Sequence, residues 1–151
     1  MKKFRKSILG VTLLEVMLVL AIAAMVIVMS VRYYQSASTS NQVNMTMSII
    51  QNITAAMDNL AIGTGSYANI TAAQITAVVG AGNMISPTGG TVVVTPCGGA
   101  GCVTYAVTIP VNDAICVSVL AKLAAISKIN LASPAPACAG GTLNYTYDNA
   151  Q

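Results

Sequence analysis

From Val11 to Val31 the chain is an apolar run interrupted only by Thr12, Glu15 and Ser30, and from Val11 to Ile62 it holds neither glycine nor proline. Nothing between Gly10 and Gly63 is a strong helix breaker, and fourteen apolar residues follow one another from Val16 to Met29. At about 1.5 Å per residue, a helix of this run crosses a hydrocarbon core of about 30 Å. Lys2, Lys3, Arg5 and Lys6 precede it, and Arg32, Tyr33 and Tyr34 follow. The excess of basic charge places the N-terminus in the cytoplasm, and the tyrosines suit the far interface.

Glu15 does not belong in an ordinary membrane anchor. An acid inside a bilayer-spanning helix costs about 2.5 to 3.5 kcal/mol on insertion scales, so it is kept where a partner or a function offsets that penalty. A secretory signal peptide is one reading, since Ala21-Ile22-Ala23 supplies a small-x-small cleavage pattern. Cleavage there would leave Ala24 to Met29 as an apolar mature start, and Glu15 would still interrupt the apolar core. A plain signal anchor accounts for the run but not for Glu15 or for Gly10, the small residue that closes the basic stub.

Beyond the membrane segment, Val43, Met47, Ile50, Ile53, Met57 and Leu60 recur at three and four residues, an amphipathic helical stripe. The pattern predicts one helix of roughly 75 Å, stopped by Gly63-Thr64-Gly65. Its weakest part is Gln35 to Asn44, where Ser, Thr and Asn side chains compete for backbone hydrogen bonds.

A small mixed domain follows. Thr71-Ala72-Ala73-Gln74 fits a capping box for a helix over Ala72 to Val79, ended by Gly80. Met84 to Gly90 reads as loop. Thr91 to Thr95 and Val103 to Ile109 have strand character and flank the Gly-rich turn Cys97 to Cys102, a hairpin signal. Asp113 is placed to cap a helix from Ala114 to about Ser127, with Cys116, Val119, Leu120, Leu123 and Ile126 on its apolar face. Ser133-Pro134-Ala135-Pro136 forces a loop, and Thr142 to Tyr147 alternates as a half-buried strand does. The expected class is α+β: a long N-terminal helical stalk packed by a small antiparallel sheet.

Composition narrows the function. Only five charged side chains follow Arg32 in the remaining 119 residues, a surface that favours packing against copies of itself. Four of the seven basic side chains lie in the first ten residues, so the rest of the chain has no Lys/Arg cluster for phosphates, and direct nucleic-acid binding is not expected. There is no His, and the acids Glu15, Asp58, Asp113 and Asp148 are scattered. Paired catalytic carboxylates lie within about 10 Å, and no phosphate-binding loop is followed by Lys and Ser or Thr; no enzymatic activity, cofactor or metal is expected. A four-cysteine zinc site would lack the usual CxxC pair. The sequons at Asn44, Asn52, Asn69 and Asn144 read as incidental in a chain rich in Asn and Thr, and the eight methionines as adaptable packing.

The N-terminal residues resemble the prepilin signature of type IV pilins and pseudopilins. That signature is a short basic leader ending in Gly, then a hydrophobic residue, Thr, Leu, a hydrophobic residue and Glu. Here it reads Lys6-Ser7-Ile8-Leu9-Gly10 followed by Val11-Thr12-Leu13-Leu14-Glu15-Val16. The resemblance implies cleavage between Gly10 and Val11 by a membrane prepilin peptidase, and methylation of the new Val11 amine. It also implies assembly through Glu15, which would pair with the Val11 amine of a neighbouring subunit. Many such pilins carry a Pro or Gly within the stalk; this chain does not.

The later segments Tyr67-Ala68-Asn69-Ile70-Thr71, Gly89-Gly90-Thr91-Val92-Val93, Ile109-Pro110, Cys116 and Cys138 before Leu143-Asn144-Tyr145 resemble the type IVb branch, including pilins of thin conjugative pili. The leader is shorter than that branch usually has, and Cys97 with Cys102 is not a general family feature. Four cysteines allow three pairings. Proximity favours Cys97 with Cys102, and the resemblance supports Cys116 with Cys138. The implied organisation is a leader over 1–10, a transmembrane or filament-core helix over 11–31, an amphipathic stalk over 32–62 and a globular α+β domain over 63–151. The implied function is a pilus subunit for adhesion, aggregation or conjugation. It would be held in the inner membrane with a cytoplasmic N-terminus and then exported into a homopolymeric filament by the assembly machinery. The alternatives are a pseudopilin of a type II secretion system, for which no acidic calcium loop is seen, and a monomeric membrane-anchored periplasmic binding module.

Overall fold

A long segment without helix breakers gives one long helix. The computed structural model describes residues 13–99, 101–130 and 134–149, and its first helix, α1, runs from Leu13 to Thr64. Gly65 ends it, with a positive φ of 68° and its amide donating to the Ala61 carbonyl at 2.7 Å. The polar stretch from Gln35 to Asn44 stays helical. Near it, hydroxyls reach back along the helix without breaking it, as Thr46 Oγ1 does to the Gln42 carbonyl at 2.8 Å.

The chain divides into two units, the first ending at Ser38 and the second beginning at Thr39. In the first, every described residue from Leu13 to Ala37 is exposed. In the second, α1 buries Val43, Thr46, Ile49, Ile50, Ile53, Ala56 and Met57, with Met47 and Leu60 partly covered. The amphipathic half of the helix is thus part of the compact unit, and the stripe read from the sequence is its buried face.

Four strands form the sheet: β1 (Val93–Pro96), β2 (Thr104–Pro110), β3 (Ala137–Ala139) and β4 (Thr142–Asp148). All pairings are antiparallel and the order is β1-β2-β4-β3. The register sets Val94 opposite Val107, Val107 opposite Tyr145, Ile109 opposite Leu143 and Tyr105 opposite Tyr147, so all of these share one face. That face is buried and meets α1, where the Tyr105 hydroxyl lies 3.3 Å from Thr54 Oγ1. The fold is α+β.

Short elements close the remaining edges. Ser66 caps a 3-10 turn at Tyr67–Asn69. Thr71 and Gln74 make a complete capping box at the head of α2 (Ala72–Val79), and Gly80 ends it with a φ of 87°. A second 3-10 turn, Ala81–Met84, leads into the loop of Ser86 and Thr88, whose hydroxyls both donate to the Pro110 carbonyl.

Two features differ from the sequence expectation. Helix α3 runs from Asp113 to Leu123 with Asn112 at the N-cap, so Asp113 lies inside the first turn, where its charge suits the helix dipole. The helix stops short of Ser127. Ala125 and Ile126 donate to the carbonyls three residues back, which tightens the chain before α4 (Ser127–Asn130). Strand β3 was not expected; Gly140 and Gly141, both at positive φ, turn it directly into β4.

Candidate functional site

The surface that most needs a partner is the N-terminal part of α1. Leu14, Met17, Leu20, Ile22, Met25 and Met29 are all more than half exposed. With Val16, Val19, Val26 and Ile27, also exposed, they cover all sides of the helix, and none of the described residues of this segment is buried. A helix apolar on all faces is stable only inside lipid or among other helices, because the apolar area lost from water drives both associations. It is long and apolar enough to cross a membrane. Glu15 lies in the first turn of α1 as described, on this exposed segment. Gly10 and Val11, the expected processing junction, lie outside the described residues.

The cysteines form two bonds, Cys97 to Cys102 and Cys116 to Cys138, with Cα separations of 6.2 and 6.0 Å. The first closes the turn between β1 and β2. The second ties α3 to the edge strand β3, whose three residues could hold little by pairing alone. Lys122 reinforces α3 from the other side by donating to Asn44 Oδ1 on α1 at 3.1 Å.

A polar cluster that the sequence did not single out joins α1 to the sheet. Asp58 accepts from the Tyr67 hydroxyl at 2.6 Å and, over a longer 3.4 Å, from the Tyr147 hydroxyl. The rings of Tyr67 and Tyr105 meet edge to face at 5.1 Å, and those of Tyr105 and Tyr147 stack at 5.0 Å. Lys128 Nζ sits 5.8 Å from the Tyr147 ring centroid and donates to Asn149 Oδ1. Burial, with the Asp58 carboxylate adding to it, pushes the Tyr147 phenol up to about 12 and Tyr67 further. Burial also raises Tyr105. Position and spacing carry no hint of this cluster, because residues 58, 67, 105 and 147 meet only through the tertiary fold.

Among the hollows of the second unit, two stand beside elements already described. One, of about 350 Å³, opens beside Asp58, Ser66, Tyr67, Cys102 and Asn149. The other, of about 480 Å³, is an apolar cleft between α2 and β1, lined by Ile75, Met84, Ile85 and Val92 to Val94. Among the described residues no group of three or more His, Cys, Asp or Glu side chains is placed to hold a metal ion. Compared with protein-family models, with curated proteins and with solved structures, the chain gives no match in any of the three.

Proposed function

We propose that this chain is the structural subunit of a type IV pilus, a prepilin cleaved after Gly10 and methylated on Val11. The observation that carries the reading is the run of exposed apolar residues around α1 from Leu13 to Val31, which begins within the Gly10-Val11-Thr12-Leu13-Leu14-Glu15 signature. Before assembly, lipid covers that helix, with the N-terminus in the cytoplasm. After assembly, the same helix packs against copies of itself in the filament core. The two surroundings are interchangeable because both are apolar.

Glu15 then selects depth and register. In a water-poor bundle two opposite charges recover their desolvation only by close pairing. The Val11 amine of a neighbouring copy supplies the opposite charge. The second unit needs no catalytic group in this role. Two disulfides and a nearly uncharged surface suit an outer shell that is exported, stays folded outside the cell and packs without electrostatic repulsion.

The test is Glu15→Ala in cells that produce the chain. A pilus subunit predicts that sheared cells release no filament while the leader is still removed. A monomeric anchored module predicts no filament from the unaltered chain either, and no effect of the substitution.

A further inference from the structure

We propose that the Cys97–Cys102 disulfide is a redox-sensitive clasp on the junction that follows α1, opened by a small dithiol while Cys116–Cys138 stays closed. The inference stands on the second unit alone and does not depend on the pilus reading. The Cys102 carbonyl accepts two hydrogen bonds from the residues just past the end of α1, one from the Tyr67 amide at 3.0 Å and one from Ser66 Oγ at 3.2 Å. Tyr67 in turn donates its hydroxyl back to Asp58 on α1 and sets its ring against Tyr105 on β2. One carbonyl therefore holds the residue that links helix, junction and sheet.

Little besides the disulfide holds that carbonyl in place. Gly98, Gly99 and Gly101 surround it in sequence, Gly101 at a φ of 76°, and glycine leaves the backbone the most freedom to rearrange. Strand pairing restrains β2 only from Thr104 onward. Among the described residues there remain near Cys102 its own amide bond to the Gly99 carbonyl at 3.2 Å, the contact of its sulfur with Thr104 Oγ1 at 3.6 Å, and the bond from the Asn149 amide to the Val103 carbonyl.

Access separates the two disulfides. Cys97 and Cys102 are both half-buried, and Cys102 forms part of the wall of the open 350 Å³ hollow. In the other pair only Cys138 is half-buried, while Cys116 is 1% exposed and sits in the hydrophobic core. Exchange requires a thiolate to reach a sulfur, so the pair with two half-buried sulfurs is more open to attack than the pair with one. One thiolate of the dithiol attacks a sulfur of the pair, forms a mixed disulfide and expels the other cysteine as a thiolate. The second thiol then closes on the mixed disulfide and releases the remaining cysteine. The dithiol ends as its cyclic disulfide, and two electrons have passed to the protein. The Cys102 carbonyl is then released, and Ser66 and Tyr67 lose their acceptor.

The experiment reduces the full chain in detergent micelles with dithiothreitol, traps thiols by alkylation and maps them by peptide mass, with amide exchange measured on the half-reduced species. The expected result is that Cys97–Cys102 opens about tenfold faster than Cys116–Cys138, or more. Exchange at the Tyr67 amide then rises by about tenfold or more, while amides of α3 stay protected. The double variant Cys97→Ser with Cys102→Ser should show the same Tyr67 exchange without reductant. If that variant does not fold, the reduction series on the unaltered chain decides alone. Opening of Cys116–Cys138 first or at an equal rate would overturn the proposal, as would unchanged Tyr67 exchange once Cys97–Cys102 is open.

Discussion

At the scale of single residues, Asp58 is the side chain on which the second unit's polar order turns. Removing it leaves the Tyr67 hydroxyl buried without its acceptor, a loss of about 1–3 kcal/mol. Asp58→Ala should therefore lower the urea midpoint of the domain clearly. Tyr147→Phe should lower it less, because the bond it removes is the long one at 3.4 Å. An Asp58→Ala midpoint equal to that of the unaltered chain would show that the cluster contributes no stability. The tyrosines also fix an alkaline limit. Their folded phenols ionise at higher pH than the ordinary 10, near 12 for Tyr147. Their contribution is therefore fully present below pH 10 and falls above it, that of Tyr147 being lost as pH rises through about 12 and those of Tyr67 and Tyr105 at higher pH, because the unfolded chain releases its protons first. Urea midpoints measured across that range should fall steadily, and a flat profile would count against buried, neutral tyrosines. None of this was legible in the sequence. Asp58 reads there as one more polar position on a helix, and its partners are supplied by two other elements, the 3-10 turn of Tyr67 and β4.

At the scale of elements, the sequence was most legible where the signal is local. The Thr71/Gln74 box and Gly80 bound α2 at both ends because capping is settled within a few residues. The stripe from Val43 to Met57 marks the buried face of α1 for the same reason. The end of α3 was less legible. The apolar spacing continues through Ile126, but the chain tightens after Leu123, which periodicity does not register. Strand β3 had a usable signal in the Gly140-Gly141 pair, the turn chemistry of a two-residue hairpin, but three residues are too few to show alternation. Its attachment rests on Cys116–Cys138, which closes a sequence separation of 22 residues. Replacing both of those cysteines by Ala should remove roughly 3 kcal/mol, against roughly 2 kcal/mol for the shorter Cys97–Cys102 loop. Denaturation of the two double variants measures both, and the reverse order would contradict an entropic origin.

For the whole molecule, the proposed function rests on two unlike surfaces of one chain. Every residue of the apolar helix from Leu13 to Val31 is exposed, and the domain beyond it has too few charges to repel its own copies. The first surface was fully legible in the sequence, because a membrane-length apolar run needs no tertiary context to be recognised. The processing junction proposed at Gly10 and Val11 is a motif only, and the contact proposed for Glu15 lies between chains. One measurement bears on the central claim most directly: the intact mass of the protein in the filament fraction sheared from producing cells, with electron microscopy of the same fraction. Cleavage, methylation and assembly predict thin fibres whose subunit mass equals residues 11–151 with two disulfides and one added methyl group. A chain that keeps its Met1 start, in a fraction without fibres, would contradict it.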